Sequence, residues 1–197
     1  MLHFKQSPIN IETIECQRSN LTASFFYTNE EFHVFDNGLN ISLMPTNGSS
    51  YVMKNDKRFN LSEMHFHRPS EHQVDDKQFD MELHLVHQED HETLVYSVLL
   101  KIESDGFDFS KPFNNIDSNI EINLSNLIPE NCWDYHGSFT TSPFDEEVIW
   151  LINKQVSTIC SQQAELINGH YPNNNRCLQP LNSRQVYSIC TCNGNML

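Results

Sequence analysis

His65 and His67 stand two residues apart in the run Met64-His65-Phe66-His67, and His84 lies in Glu82-Leu83-His84-Leu85-Val86-His87. That spacing restricts the backbone. Rings at i and i+2 face the same way on a β-strand, separated by two rises of roughly 3.3 Å, whereas on a helix the same pair diverges. The alternation of polar and apolar residues from Glu82 to Val86 reads as a neighbouring strand. Two such strands can bring three imidazoles to one ion, and three neutral imidazoles with an open position for water make a zinc site of catalytic type. A His-x-His pair in a chain with ten histidines also fits a half-exposed strand whose histidines pair with carboxylates. Spacing alone leaves both readings open.

Strand patterns recur along the chain. Leu39–Leu43 follows an Asp36-Asn37-Gly38 turn, and Ser62–Arg68, Phe79–His87, Thr93–Lys101 and Glu146–Ile152 continue the set. The segment Thr93–Leu100 is apolar enough to be central and buried on both faces. The best helix pattern starts at Ser161 as N-cap, runs through Ala164 and Leu166, and stops at Gly169. A chain of 197 residues, 38% hydrophobic and without repeats, then reads as one mainly β domain with a sizeable core.

Charge and targeting signals exclude several classes. A net charge of −14 argues against nucleic acid or an anionic membrane as partner. No apolar run approaches the roughly 18 residues of a membrane span. The opening MLHFKQSPIN has no basic region followed by an apolar stretch, so no signal peptide is visible, which favours a cytoplasmic over a trimmed secreted or periplasmic form. The cysteines Cys16, Cys132, Cys160, Cys177, Cys190 and Cys192 contain no C-x-x-C pair and read as free thiols rather than a disulfide set. Sequons at Asn20, Asn40, Asn47, Asn60 and Asn123 point the other way, but chance explains them in so asparagine-rich a chain.

The stretch MHFHRPSEHQVDDKQFDMELHLVH from Met64 to His87 resembles the signature of the α-class carbonic anhydrases, particularly bacterial and plant-type members. Tyr135-His136-Gly137-Ser138-Phe139-Thr140-Thr141-Ser142-Pro143 is similar to the family's Y-x-G-S-L-T-T-P-P loop. Gln6-Ser7-Pro8-Ile9-Asn10-Ile11 matches its Q-S-P-I-N-I, and Asn174-Asn175-Arg176 with Gln179-Pro180-Leu181-Asn182-Ser183-Arg184 matches its N-x-R-x-x-Q-P-L-x-x-R. These motifs run in order from about residue 6 to about residue 188. The resemblance implies a mainly β (α+β) fold, a large, twisted, mostly antiparallel sheet with short peripheral helices. It places the domain at residues 1–189, with 190–197 as a C-terminal tail.

The same resemblance implies a chemistry: Zn2+ on His65, His67 and His84, and reversible hydration of CO2 to bicarbonate by zinc-bound hydroxide. Three neutral ligands leave the ion its full charge, which lowers the pKa of bound water to about 7. Ligand rings need their second nitrogen held by an acceptor; Glu82 is implied to hold His84, and Glu63 stands in the same relation to His65. Family members usually carry glutamine at the latter position, so the carboxylate predicts a more electron-rich metal. Thr140 is implied to orient the hydroxide and donate to Glu71, consistent with a hydroxyl's single donor. Val86, Val95, Phe139, Val148 and Trp150 match the apolar wall for CO2, although core packing explains each equally well without the family. Thr141 would sit at the mouth. His72 and His87 match positions that form structural hydrogen bonds.

Departures from the family pattern set further expectations. Fast members carry a proton-shuttling histidine just after an Asn-Gly pair, where this chain has Leu39; His3, His33 and His136 are the substitutes to consider. Members usually have a few tens of residues before Q-S-P-I-N, Cys177 replaces a usual proline, and the position of a disulfide found in secreted members is Phe144. Two rival functions remain: a carbonic-anhydrase-related binding module, which typically lacks one or more zinc histidines, and an esterase at the same site.

Overall fold

The computed structural model describes residues 4–104 and 116–196. Its strands are β1 (Asn10–Ile11), β2 (Gln17–Phe26), β3 (Asn29–Asp36), β4 (Ile41–Pro45), β5 (Tyr51–Lys54), β6 (Lys57–His67), β7 (Gln73–Val74) and β8 (Lys77–Gln78). They continue as β9 (Met81–Glu89), β10 (Glu92–Glu103), β11 (Ser118–Asn123), β12 (Asn131–Ser138), β13 (Glu146–Asn153), β14 (Ser157–Cys160) and β15 (Tyr187–Asn193). All five strands expected from sequence are present, with ends shifted by up to five residues.

Twelve strands form one sheet in the order β11-β3-β4-β6-β5-β2-β15-β12-β13-β10-β14, and β9 bridges β10 and β6. That bridge rolls the twisted sheet into a barrel-like core. Most pairings are antiparallel; β10 with β13, β10 with β14, and β15 with β2 are parallel. A separate three-stranded sheet, β1-β7-β8, stands beside this large, mostly antiparallel sheet. As its apolar run predicts, β10 is buried from Thr93 to Leu100 and paired along both edges.

The period of two sorts the core into two clusters. Met64, Phe66, Leu83, Leu85, Leu94 and Tyr96 point into one of them, with Phe25, Tyr27 and Phe32. The opposite face of the same strands contributes Val86 and Val95 to a second cluster with Ile9, Tyr135, Val148 and Trp150. A bulge between Leu61 and Glu63 resets the phase of β6, so that Leu61 and Met64 both reach the first cluster.

Two boundaries differ from the sequence reading. The helix spans Ser161–His170, with Cys160 rather than Ser161 at the N-cap and no side-chain capping bond. Gly169 lies inside its last turn, and the helix ends as the Tyr171 N–H reaches the Ile167 carbonyl. Residues 190–193, set apart above as a tail, belong to β15 and pair with β2, and Cys190 also pairs with Asn131 of β12. Their polar composition hides a strand whose support comes from two distant partners. All six cysteines are unpaired. Among the described residues no helix is long and apolar enough to cross a membrane.

Candidate metal centre

β6 and β9 run antiparallel with His65 opposite His84 and His67 opposite Glu82. Because the residues between them enter the first core cluster, the three histidines share the opposite face. Ring centroids lie 5.0 Å (His65–His67), 5.3 Å (His65–His84) and 4.6 Å (His67–His84) apart. Each ring offers one nitrogen, and these nitrogens all lie within 4.8 Å of one another.

The outer hydrogen bonds decide which nitrogen is free, since a neutral imidazole has one donor and one acceptor. His67 Nδ1 donates to the Asn174 carbonyl at 3.0 Å, and its Nε2 is buried with no partner. His65 Nδ1 donates to Glu63 Oε1 at 3.1 Å. His84 Nε2 donates to Glu82 Oε1 at 2.9 Å, leaving Nδ1 as the acceptor. Burial and the neighbouring His84 and His65 push the His67 pKa well below the usual histidine range. Burial also lowers His84 to about 4 despite the opposing Glu82 charge. Neutral rings with converging lone pairs, one of them orphaned, fit an ion that takes nitrogen ligands at about 2.0–2.1 Å.

Glu82 organises the floor of this site. Its Oε1 accepts from His84, from His72 Nδ1 at 2.7 Å and from Ser97 Oγ at 2.5 Å. Its Oε2 accepts the backbone N–H groups of Glu71 and His72, both at 2.8 Å. Burial alone would raise its pKa, but the hydrogen bonds it accepts from His72 and His84 hold it well below the carboxylate range. The far nitrogen of His72 accepts the Tyr135 hydroxyl at 2.6 Å, and Tyr135 meets Ser7 Oγ at 2.8 Å. A Cβ on Gly137 would lie 2.0 Å from that Ser7 oxygen, so this close approach requires glycine.

Glu71 is buried beside the cluster, with Oε1 3.5 Å from His67 Nδ1 and accepting the Arg176 backbone N–H at 2.8 Å. Burial and then the Glu82 charge push its pKa up to about 8, against the Thr140 hydroxyl and Arg176. The Thr140 hydroxyl thus interacts with this carboxyl, whose Oε2 is buried without a further hydrogen-bond partner. Glu63 differs: although burial opposes it, hydrogen bonds from His65 and Ser42 lower its pKa.

A cavity of about 200 Å³ opens onto His65 and His84. Val86, Val95, Phe139 and Trp150 form its apolar side, Thr140 and Thr141 border it, and Asn37, Asn40, Ser62, Glu63 and Gln88 supply polar groups. Leu39 lines it and is 63% exposed. Val148, expected on the wall, does not line it: level with Gly137 and Thr93 near the start of β13, it is buried in the second cluster. His33 and His136 are exposed and line no part of the cavity; His3 lies outside the described residues. His87 falls on the core face of β9, where its Nε2 accepts the Tyr27 hydroxyl at 2.9 Å. A larger cleft of about 480 Å³ shares no lining residue with this cavity.

Sequence reasoning gave no role to Ser97 and Ser42, and it named Asn174 and Arg176 only as motif matches, without the backbone contacts they make. The serines and the two backbone groups carry no local signature, because each acts through a contact made by the fold.

Residues 3–190 match the family model of the eukaryotic-type carbonic anhydrases. The chain belongs to the α-class carbonic anhydrase family. A carbonic anhydrase from Neisseria gonorrhoeae is 33% identical over 92% of this chain and 76% of its own length. Dioscorin dioA3 from Dioscorea japonica is 35% identical over 66% of this chain, which spans about half (54%) of that relative. Among solved structures, the α-carbonic anhydrase of Thermovibrio ammonificans in complex with the inhibitor sulfanilamide superposes with a TM-score of 0.84 at 32% identity, covering 93% of this chain and 86% of that one. Within this family fold, the three histidines, Glu82, Glu71 and Thr140 stand together at one site.

Proposed function

We propose that this carbonic anhydrase catalyses the reversible hydration of CO2 to bicarbonate and a proton, with zinc held by His65, His67 and His84. The observation that carries the reading is the orphaned, buried Nε2 of His67 beside two rings whose outer nitrogens are already hydrogen-bonded. When bound, zinc would supply a charge that lowers the pKa of a water to about 7 and favours the ionised form of nearby Glu71.

The chain's own residues then do the rest. An ionised Glu71 obliges the Thr140 hydroxyl to donate to it, so the Thr140 oxygen turns lone pairs toward the cavity. A water or hydroxide there must point its own proton at Thr140, which aims its nucleophilic lone pair elsewhere. Val86, Val95, Phe139 and Trp150 offer a dry surface to a small apolar substrate. Leu39 cannot accept a proton. Besides His65 and His84, Glu63 is the sole titratable group among the described residues of the cavity, so protons leave on dissolved buffer.

Dioscorin's place among the relatives means that family membership does not by itself fix the activity; the complete donor set favours catalysis over a binding module. The test is zinc content and CO2 hydration in the wild type and in His67→Ala. One zinc per chain with hydration, both lost in the variant, supports the reading. Full zinc occupancy without hydration refutes it.

A further inference from the structure

Glu63 is the one carboxylate among the described residues lining the cavity, and no lysine or arginine lines it. Its side chain is 33% exposed. Two hydrogen bonds fix it in place, from His65 Nδ1 at 3.1 Å and from Ser42 Oγ at 2.8 Å. Glu71 and Glu82 are buried beside the cluster and do not line the cavity. A pinned negative charge therefore faces the space through which ligands reach His65 and His84, and among the described residues no basic side chain of the cavity lining offsets it.

We propose that Glu63 is a specificity-determining residue that selects against anions at this site. The inference rests on the function proposed above. CO2 is neutral and passes a carboxylate without electrostatic cost, whereas bicarbonate and small inorganic anions are repelled. Glu63 Oε1 lies 3.1 Å from His65 Nδ1, so one hydrogen bond and the width of that ring separate the charge from the His65 nitrogen that would face the ion. Coulomb's law over such a distance, with an effective dielectric between surface and bulk values, weakens monovalent anion binding by roughly three- to tenfold. Bicarbonate leaves more readily by the same factor, and the enzyme resists anions that compete at the metal.

A charge effect can be told apart from one transmitted through the His65 ring. Electron donation through His65 alters the ion's affinity for every ligand. Field repulsion acts on anions alone. The decisive experiment titrates cobalt(II)-substituted protein with thiocyanate and with neutral imidazole at constant ionic strength, following the visible absorption of the metal. Wild type, Glu63→Gln and Glu63→Asp are compared. Glu63→Gln is expected to bind thiocyanate three- to tenfold more tightly with imidazole affinity unchanged, and Glu63→Asp, which keeps the charge, to stay near wild type. Unchanged thiocyanate affinity in Glu63→Gln overturns the proposal, as does equal tightening of both ligands. Protein that takes up no cobalt overturns the metal site and this inference together, whereas cobalt uptake with unaltered anion affinity leaves the proposed function standing.

Discussion

Replacing Glu82 by glutamine changes little in shape and much in hydrogen bonding. The carboxylate accepts five donors: two backbone N–H groups at Oε2, and His72, His84 and Ser97 at Oε1. An amide has one oxygen, so its NH2 must face one of these groups. Turned toward the backbone of Glu71 and His72, it leaves two buried N–H donors unpaired, at about 1–3 kcal/mol each. The resulting loss of about 2–6 kcal/mol lowers the melting temperature by roughly 5–20 °C in a chain of this size. Turned the other way, it faces His84, which escapes by moving its proton to Nδ1. That nitrogen is the one offered to the metal, and affinity then falls roughly 10–100-fold. Thermal unfolding followed by circular dichroism reads the first cost, and competition with a chromophoric chelator reads the second. A Glu82→Gln protein unchanged in both melting temperature and zinc affinity would refute the reasoning.

Other perturbations separate the remaining parts. Thr140→Ala is expected to lower kcat by about 100-fold with zinc content unchanged; a loss of zinc instead would make Thr140 a structural residue. Leu39→His places a titratable ring at the cavity mouth and should raise turnover severalfold in dilute buffer, with little gain in concentrated imidazole. His87 is fully buried, and desolvation lowers its pKa to about 3, against nearby backbone carbonyls of Leu94 and Leu85. The unfolded chain therefore binds this proton first as pH falls, so stability is intact above about pH 6.5 and declines by about 1.4 kcal/mol per pH unit toward pH 3. Urea unfolding of wild type and His87→Gln between pH 7 and 4 should show a gap that changes with pH, and parallel curves would contradict the assignment.

The histidine cluster was legible because its members obey local rules. His65 and His67 share a strand face, and the alternation of Leu83, His84 and Leu85 puts His84 on the face opposite the two leucines. The same rule explains why His87, an odd number of residues from His84, is a core histidine. The resemblance to the family supplied Glu71, Thr140 and the apolar wall, which spacing could not. What stayed hidden depends on distant pairing. The Asn174 carbonyl reaches His67 across the chain because the Asn174 amide bridges the Arg68 N–H and the Phe66 carbonyl, a contact that no local pattern foretells. The strand segment Cys190–Asn193 is held by its pairing with β2 rather than by apolar residues of its own. Val148 has the right chemistry for the cavity wall, but its level on β13 buries it.

Stopped-flow CO2 hydration on zinc-quantified protein, with imidazole buffer varied at fixed pH, tests the central claim most directly. The account predicts zinc-dependent hydration with a turnover number that rises with buffer concentration, because the cavity offers no dedicated proton acceptor. Protein with one zinc per chain that hydrates no CO2 at any buffer concentration would contradict it.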